Sequence, residues 1–303
     1  MNAPSFQDLP ASAYRGRFAP SPTGLLHAGS LTTAVGSYLH ARSQGGQWLL
    51  RIEDLDPPRE MPGAADAILR TLEALGFAWD GEVVWQSRRL AAYQQALDAL
   101  IASGQAYPCA CTRREIALAG HPGVDGVVYP GTCRNGLTAG KAGRAWRLHV
   151  PAGEVMFMDG HYGAQRQDVA HQVGDYVLKR ADGLFAYQLA VVVDDAWQGI
   201  SEVVRGADLL DSTPRQIVLQ RALNAPTPRY THLPLLVNAA GEKLSKQTLA
   251  PAIRPDQAAD ELRLALTRLN HAPPADCQGL DELWSWALAH WSLARAPAAP
   301  VPV

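Results

Sequence analysis

The sequence predicts an α/β fold: a doubly wound nucleotide-binding (Rossmann-like) sheet split by a small insertion, with a short C-terminal helical region. Three observations carry the prediction. A strand, a helix and a second strand alternate within the first fifty-odd residues, the opening of a doubly wound domain. A Gly-, Pro- and Cys-rich stretch then interrupts the pattern before α/β alternation resumes. Two segments suited to holding phosphate, RFAPSPTGLLHAGSL at Arg17–Leu31 and KLSKQ at Lys243–Gln247, lie farther apart than an uninterrupted mononucleotide fold needs.

Taken in order, Tyr14–Ala19 reads as a strand, Pro20–Gly24 as a turn and His27–Ala41 as a helix. Gly45-Gly46 ends that unit, and Trp48–Glu53 reads as a buried parallel strand. Amphipathic helices are expected around Ala64–Leu75 and Leu90–Ser103. From Tyr107 to Gly163 the chain holds short strands such as Ala145–Val150. The α/β pattern returns with Tyr176–Leu178, Leu184–Gln188 and the very apolar Leu189–Val193, and an apolar strand at Leu233–Val237 leads into KLSKQ. After Pro255, one or two helices carry Trp284, Trp286 and Trp291. The Pro/Ala-rich tail Ala296–Val303 is expected to be disordered. The implied units are 14–106 and 176–250 for the two halves of the nucleotide fold, 107–175 for the insertion, 251–295 for the helical region and 296–303 for the tail.

At 303 residues the chain can bury a sizeable core, and 47% hydrophobic with 18% charged residues is ordinary globular composition. No apolar run approaches the roughly 18 residues of a membrane span. The start, MNAPSFQDLPASAYRGR, lacks the layout of a secretory signal, so a cytoplasmic location is the default expectation. A net charge of −2 does not decide about nucleic acid, because a local basic stripe can hide in a neutral total. Lysine occurs only at 141, 179, 243 and 246 among 27 Lys and Arg, and two of these fall in KLSK. In a chain that otherwise favours arginine, that pair suits compact, flexible charge.

The first segment runs from an extended stretch through a Pro/Gly turn into a helix opening near His27. Free backbone N–H groups at such a helix start can meet phosphate. Arg17 falls at a strand end, Ser21 in the turn, and Gly24 where a backbone can approach a ligand closely. Taken alone, RFAPSPTG also reads as a plain strand and turn, and His27 as a surface residue. KLSKQ places two lysines beside a hydroxyl in a turn-prone loop, where ammonium groups can follow charge onto a pentavalent phosphate. Cys109, Cys111 and Cys133 gather in the insertion. Cytosolic proteins seldom keep disulfides, so these read as metal ligands or as free core cysteines. Zinc needs a fourth ligand, for which His121 and Asp125 are chemically apt. Cys277 stands alone and reads as buried filler.

In this order the two phosphate segments resemble the HIGH and KMSKS signatures of class I aminoacyl-tRNA synthetases. Ser30 stands for the last histidine of the first, and Gln247 for the last serine of the second. RIEDLDPPR at Arg51–Arg59 resembles the next block of the glutamyl and glutaminyl enzymes, and Phe185–Gln216 resembles their second-half amino-acid pocket. The resemblance covers roughly Arg15–Ala250 and implies a class I synthetase fold. It implies that His27, Gly29, Lys243 and Lys246 bind ATP with Mg²⁺, with His27, Lys243 and Lys246 catalytic. It also implies that Arg17, Ala19, Ser21, Glu53, Tyr187 and Arg205 bind glutamate. Two arginines suit a substrate with two carboxylates, which guanidinium forks grip bidentately, and Glu53 suits its ammonium. For Arg205 a surface salt bridge to Glu202 or Asp208 is the alternative. Asp54, Asp56 and Arg59 would cap and bridge the following loop, and Val191 stands in the pocket where ordinary glutamyl enzymes usually carry asparagine.

About fifty residues follow the lysine loop, too few for the anticodon-binding region of ordinary glutamyl-tRNA synthetases. With KLSKQ and the C-x-C…Y-x-x-x-C spacing of Cys109, Cys111, Tyr129 and Cys133, the chain resembles the glutamyl-Q tRNA(Asp) synthetase family. That resemblance implies one structural zinc on those four residues, with zinc's charge offsetting the loss of the phenol proton. It further implies three substrates: ATP, L-glutamate activated without need of RNA, and tRNA(Asp) bearing queuosine. The protein would be a monomer that meets no membrane. A compact glutamyl-tRNA synthetase charging a tRNA 3′ end and a non-tRNA nucleotidyltransferase are the alternatives.

Overall fold

A computed structural model describes residues 14–238, 240–244 and 251–303. The first half follows the sequence pattern: β1 (Arg15–Phe18), α1 (Ala28–Ser43), β2 (Gln47–Ile52), α2 (Ala64–Ala74), β3 (Val84–Trp85) and α3 (Leu90–Ala102). The three strands are parallel in the order β1-β2-β3, with Arg17 opposite Leu49 and Arg51 opposite Val84. Leu31, Val35 and Leu39 of α1 pack into one core with Trp48 and Leu50 of β2. Gly36 brings α1 close to its neighbours, since a Cβ there would lie 2.5 Å from Leu233 Cδ1.

The middle contributes β4 (Ala106–Cys109), α4 (Arg113–Ala119), the hairpin β5 (His121–Gly123) and β6 (Gly126–Val128), β7 (Ala145–Leu148), β8 (Glu154–Asp159), β9 (Gly163–Asp168) and α5 (Val169–Gln172). Then come β10 (Val177–Lys179), α6 (Tyr187–Trp197), β11 (Glu202–Gly206), α7 (Thr213–Ala222), β12 (Arg229–Leu233) and β13 (Leu236–Val237). The antiparallel sheet β10-β7-β4 ties the insertion to the start of the second half. The insertion is not cleanly separate, because β8 pairs with β12 and makes the second sheet β11-β12-β8-β9. Ser201 sets β11 beside β1: its N–H donates to Arg15 O (2.9 Å) and its Oγ accepts from Arg15 N (2.8 Å). Leu189–Val193 lies within α6, which is buried from Leu189 to Ala196, the Asp194–Asp195 pair included. The strand expected over Leu233–Val237 is interrupted at Pro234, which has no N–H to continue a ladder.

Two helices follow, α8 (Ala258–Arg268) and α9 (Leu280–His290). Trp284 of α9 is buried in the first-half core and donates to Leu75 O at 2.8 Å, while Cys277 packs at the edge of that core. The tail departs from expectation. Rather than being disordered, it forms β14 (Val301–Pro302), parallel to β13, with Val301 N donating to Leu235 O (2.8 Å) and Val303 N to Val237 O (3.0 Å). Exposed carbonyls on β13 offer the tail a ladder that composition alone does not reveal.

A buried cluster of charges joins the two halves. Arg51 on β2 is fully buried; its Nη1 donates to Asp195 Oδ1 (2.7 Å) and Gln198 Oε1 (2.6 Å), and its Nη2 to Glu53 Oε1 (3.2 Å). Arg17 on β1 donates to both oxygens of Asp195, at 3.1 and 3.4 Å. Asp194 accepts from Gln86 (2.8 Å), Arg89 (2.6 Å) and Tyr93 (2.7 Å). Removing one partner of such a network leaves a charge stranded away from water. Arg51→Met is therefore expected to cost about 3–5 kcal/mol in chemical denaturation. Burial alone would raise the Asp195 pKa, but Arg17 and Arg51 outweigh it and hold the carboxyl below its usual range. Its contribution to stability is thus full above about pH 4, the unfolded value, and is lost as pH falls through the depressed folded value. Acid titration of the melting temperature is expected to show that loss in the wild type and much less of it in Asp195→Asn.

Candidate active site and metal centre

The two phosphate-type segments meet. His27 is the N-cap of α1: its Nδ1 accepts from Ser30 N (3.3 Å), and Ser30 Oγ accepts from His27 N (2.9 Å), a reciprocal capping box. Ser30, the departure from the HIGH pattern, thus satisfies the helix start. With Nδ1 acting as acceptor, the neutral ring carries its proton on Nε2. Gly29 sits against the ring, and a Cβ there would lie 3.2 Å from His27 Cε1 and Nδ1 and 3.7 Å from Leu244 O. On the far side of the lysine loop, Ile253 N donates to Leu26 O (2.9 Å), and Ala252 bridges His27. Leu244 at one side of the lysine loop, and Ala252 and Ile253 beyond it, therefore lie against the start of α1. Lys243 bridges Val237, and its ammonium lies 2.5 Å from Asp208 Oδ2. Lys246 and Gln247 lie outside the described residues.

Around this junction opens a cavity of about 970 Å³. Its walls include Arg17, Ala19, Ser21, His27, Gly29, Glu53, Tyr187, Arg205 and Lys243, so every described residue expected to touch ATP or glutamate faces one space. Its volume falls within the roughly 300–1,000 Å³ that encloses whole small molecules. Val191 does not line it. That side chain is fully buried in the second core with Leu189 and Val203, so the expectation that it shapes the pocket directly is corrected.

The two arginines of the cavity differ in their surroundings. Arg17 is matched by Asp195. Arg205, 3% exposed, has only neutral partners among the described residues: Nε donates to His232 Nε2 (3.1 Å), Nη1 to Gln216 Oε1 (2.8 Å), and Nη2 to Thr213 Oγ1 (2.8 Å) and Leu209 O (3.3 Å). The surface salt bridge to Glu202 or Asp208 is not formed. Behind Arg205, His232 Nδ1 donates to Asp159 Oδ2 at 2.6 Å, which leaves Nε2 as the acceptor for the guanidinium. Burial and Arg205 lower the His232 pKa, although Asp159 opposes them. The ring therefore stays neutral and keeps this orientation. Tyr187 is pushed up in pKa by burial, so it presents an intact phenol. Glu53 is likewise raised by burial, with Arg51 and Arg17 opposing. Asp54 accepts from Ser87 N (2.9 Å) and Oγ (2.6 Å), and Asp56 pairs with Arg59 and Arg180, so these residues brace the loop as expected.

The three cysteines of the insertion converge, their sulfurs all within 4.8 Å of one another. Cys111 Sγ lies 3.6 Å from Cys133 Sγ, and Tyr129 Oη lies 3.5 Å from Cys109 Sγ and 3.6 Å from Cys111 Sγ. A tetrahedron built on zinc–sulfur bonds of about 2.3 Å and a zinc–oxygen bond of about 2.0 Å has edges of roughly 3.8 and 3.5 Å. The three separations just given lie close to those edges. Burial and the cysteines raise the Tyr129 pKa; Cys133 N, which donates to Tyr129 Oη (2.8 Å), opposes them, and the Arg147 guanidinium lies 3.9 Å from the ring centre. His121 instead contacts His171 O (3.0 Å), and Asp125 pairs with Arg215 (2.5 Å), so neither joins the cluster. None of the four lines the large cavity.

Sequence reasoning does not single out Arg51, Asp194, Asp195, Asp159 or His232. The one available signal is the Asp-Asp pair closing the apolar run Leu189–Val193, since charge adjoining a fully buried helix needs a buried partner.

With this geometry in place, comparison with known proteins identifies the family. The sequence model for the catalytic domain of class I tRNA synthetases (E and Q) matches residues 13–271, and the chain belongs to that family. The chain is 68% identical over 288 residues to a glutamyl-Q tRNA(Asp) synthetase of Chromobacterium violaceum, covering 95% of this chain and 97% of that one. A protein of the same name from Dechloromonas aromatica is 61% identical, with 94% and 96% covered. Within the family, the branch is therefore that of the glutamyl-Q tRNA(Asp) synthetases, a group of synthetase-type ligases. The fold also matches the crystal structure of a glutamate-tRNA synthetase from Elizabethkingia anophelis, with a TM-score of 0.79 at 24% identity, covering 96% of this chain and 68% of that one. No described helix is long and apolar enough to cross a membrane.

His232→Ala would leave Asp159 buried without its main partner and Arg205 without one acceptor. It is expected to destabilise the protein by about 1–3 kcal/mol in denaturant titration.

Proposed function

We propose that the protein activates L-glutamate with ATP as glutamyl-adenylate and transfers it to the queuosine base in the anticodon of tRNA(Asp), in the cytoplasm. The observation that carries the glutamate half is Arg205: a buried guanidinium in the cavity, with no carboxylate in ion-pair reach among the described residues. A carboxylate substrate supplies the missing charge. The acceptor half is supported by the names of the most similar relatives.

In the first step an oxygen of the glutamate α-carboxylate attacks the α-phosphorus of ATP, and the bond to pyrophosphate breaks in line. His27 Nε2–H, the start of α1, Lys243 and Lys246 stabilise charge on the phosphate oxygens. Mg²⁺ bound with ATP would add charge neutralisation there. Arg205 and Tyr187 hold glutamate, Glu53 faces its ammonium, and Arg17, Ala19 and Ser21 complete the wall. In the second step a queuosine hydroxyl attacks the adenylate carbonyl, and AMP leaves. Cys109, Cys111, Tyr129 and Cys133 would hold one zinc ion structurally, since a full ligand set leaves no open position for chemistry.

Two otherwise identical tRNA(Asp) samples, with and without queuosine, test the acceptor. Glutamate should label only the modified RNA; equal labelling, or labelling of tRNA(Glu) instead, would sink the queuosine assignment. His27→Ala is expected to slow ATP–pyrophosphate exchange by roughly 10²–10³-fold. Arg205→Leu should raise the KM for glutamate by about 10–100-fold, the worth of a charged hydrogen bond. The metal assignment predicts one zinc per chain by elemental analysis, with Cys133→Ala losing it and melting at lower temperature; zinc-free wild type would refute it.

A further inference from the structure

A second cavity, of about 160 Å³, lies between the hairpin β5–β6 and the start of α7, and shares no lining residue with the large one. It is too small for a whole nucleotide, given the roughly 300–1,000 Å³ of pockets that enclose small molecules. Two arginines from different parts of the chain line it, Arg147 on β7 and Arg215 on α7, only 9% and 7% exposed. Arg147 Nη1 donates to Asp175 O (2.6 Å) and Arg215 Nη2 to Ser212 Oγ (3.2 Å), but the Nε of each is buried with no hydrogen-bond partner among the described residues. A buried guanidinium N–H left unmet is costly, and two in one cavity mark a place for acceptor oxygens.

The nearby carboxylates differ in how firmly they are held. Asp175 is fixed elsewhere: it accepts from Arg134 at 2.7 and 2.5 Å, from Tyr107 at 2.5 Å and from Val150 N at 2.8 Å. Asp125, by contrast, sits at the tip of the hairpin with 64% of its side chain exposed, and its Oδ2 accepts from Arg215 Nη1 at 2.5 Å. One oxygen of a solvent-facing carboxylate thus already occupies an acceptor position on Arg215. Gln172, Asp175, Tyr176 and Tyr129 of the cysteine cluster are among the residues that complete the wall.

We propose that this cavity is a phosphate-binding subsite, in which Arg147 and Arg215 grip a tetrahedral oxyanion and Asp125 is its internal stand-in, displaced when the anion enters. Because Asp125 at the hairpin tip is exposed, a group carried on a larger molecule can reach the cavity as well as a free ion. A backbone phosphate of the RNA is the source if the function proposed above holds; inorganic phosphate is the other.

The test is calorimetric titration of the full chain with inorganic phosphate at fixed ionic strength, with a non-hydrolysable ATP analogue filling the large cavity. Arg215→Gln should weaken phosphate binding about tenfold or more, and Asp125→Ala should tighten it. A gain in affinity cannot come from misfolding, and unchanged melting temperatures check both variants. Binding of tRNA(Asp) is then followed against salt. If an RNA phosphate occupies the site, Arg215→Gln lowers the slope of log K on log salt by about 0.7–0.9, the share of one phosphate contact. Altered phosphate affinity with an unchanged salt slope supports the subsite with free phosphate as its occupant and overturns the RNA source. Identical phosphate binding by the wild type and both variants overturns the subsite itself. Should no RNA bind, the proposed acceptor fails, and the phosphate titration still decides the subsite.

Discussion

Arg51 has no route to water, and much of the architecture follows from that. Sealing a guanidinium inside a protein costs several kcal/mol unless opposite charge and hydrogen bonds meet it with good geometry. Here the first sheet supplies Arg17 and Arg51, and α6 of the second half supplies Asp194 and Asp195. Neither half can bury its own charges alone. The network fixes the ends of β1 and β2 relative to α6, and those elements carry Arg17, Glu53 and Tyr187 into the large cavity. Stability and substrate geometry therefore share one set of bonds.

The cavity divides its positive charge unevenly. Arg17 lies in the cavity wall but is offset by Asp195, whereas Arg205 is held rigidly by neutral acceptors and keeps its charge undiminished. The Asp159–His232 pair makes this arrangement possible. A protonated imidazole at that position would repel the guanidinium, and burial together with Arg205 itself keeps the ring neutral. On the proposed function, a site prepared in this way favours a carboxylate over a neutral amide, because only the former completes the charge.

The alternating strands and helices of the first half were legible from periodicity, and the phosphate-type segments from turn chemistry. Their meeting was foreseeable only through resemblance, since nothing local in HAGS or KLSKQ says what each will touch. The cysteine cluster was legible by residue type, but Tyr129 as its fourth corner required the spacing of a known family. Arg51 and the Asp194–Asp195 pair escaped notice because a charged residue in a strand or helix ordinarily signals solvent. The tail strand was missed for a different reason: Pro and Ala carry no ladder signal, and pairing came from the free edge of β13. For Arg205, expected in the pocket, the surface ion pair stood as the alternative because Glu202 and Asp208 are near in the chain. The fold turns it away from both.

The separation of the charged partners along the chain has a consequence for biosynthesis. Arg51 and Asp195 are 144 positions apart. At roughly 5–20 residues per second, a ribosome needs about 7–30 s to reach the second after making the first. During that interval the nascent first half holds two guanidiniums that its finished sheet must bury, with no carboxylates from α6 yet made. Closing that sheet early would strand the charges, so the N-terminal half has reason to stay open until α6 emerges. The pairing of Arg17 and Arg51 with Asp195 thus waits until α6 has been made.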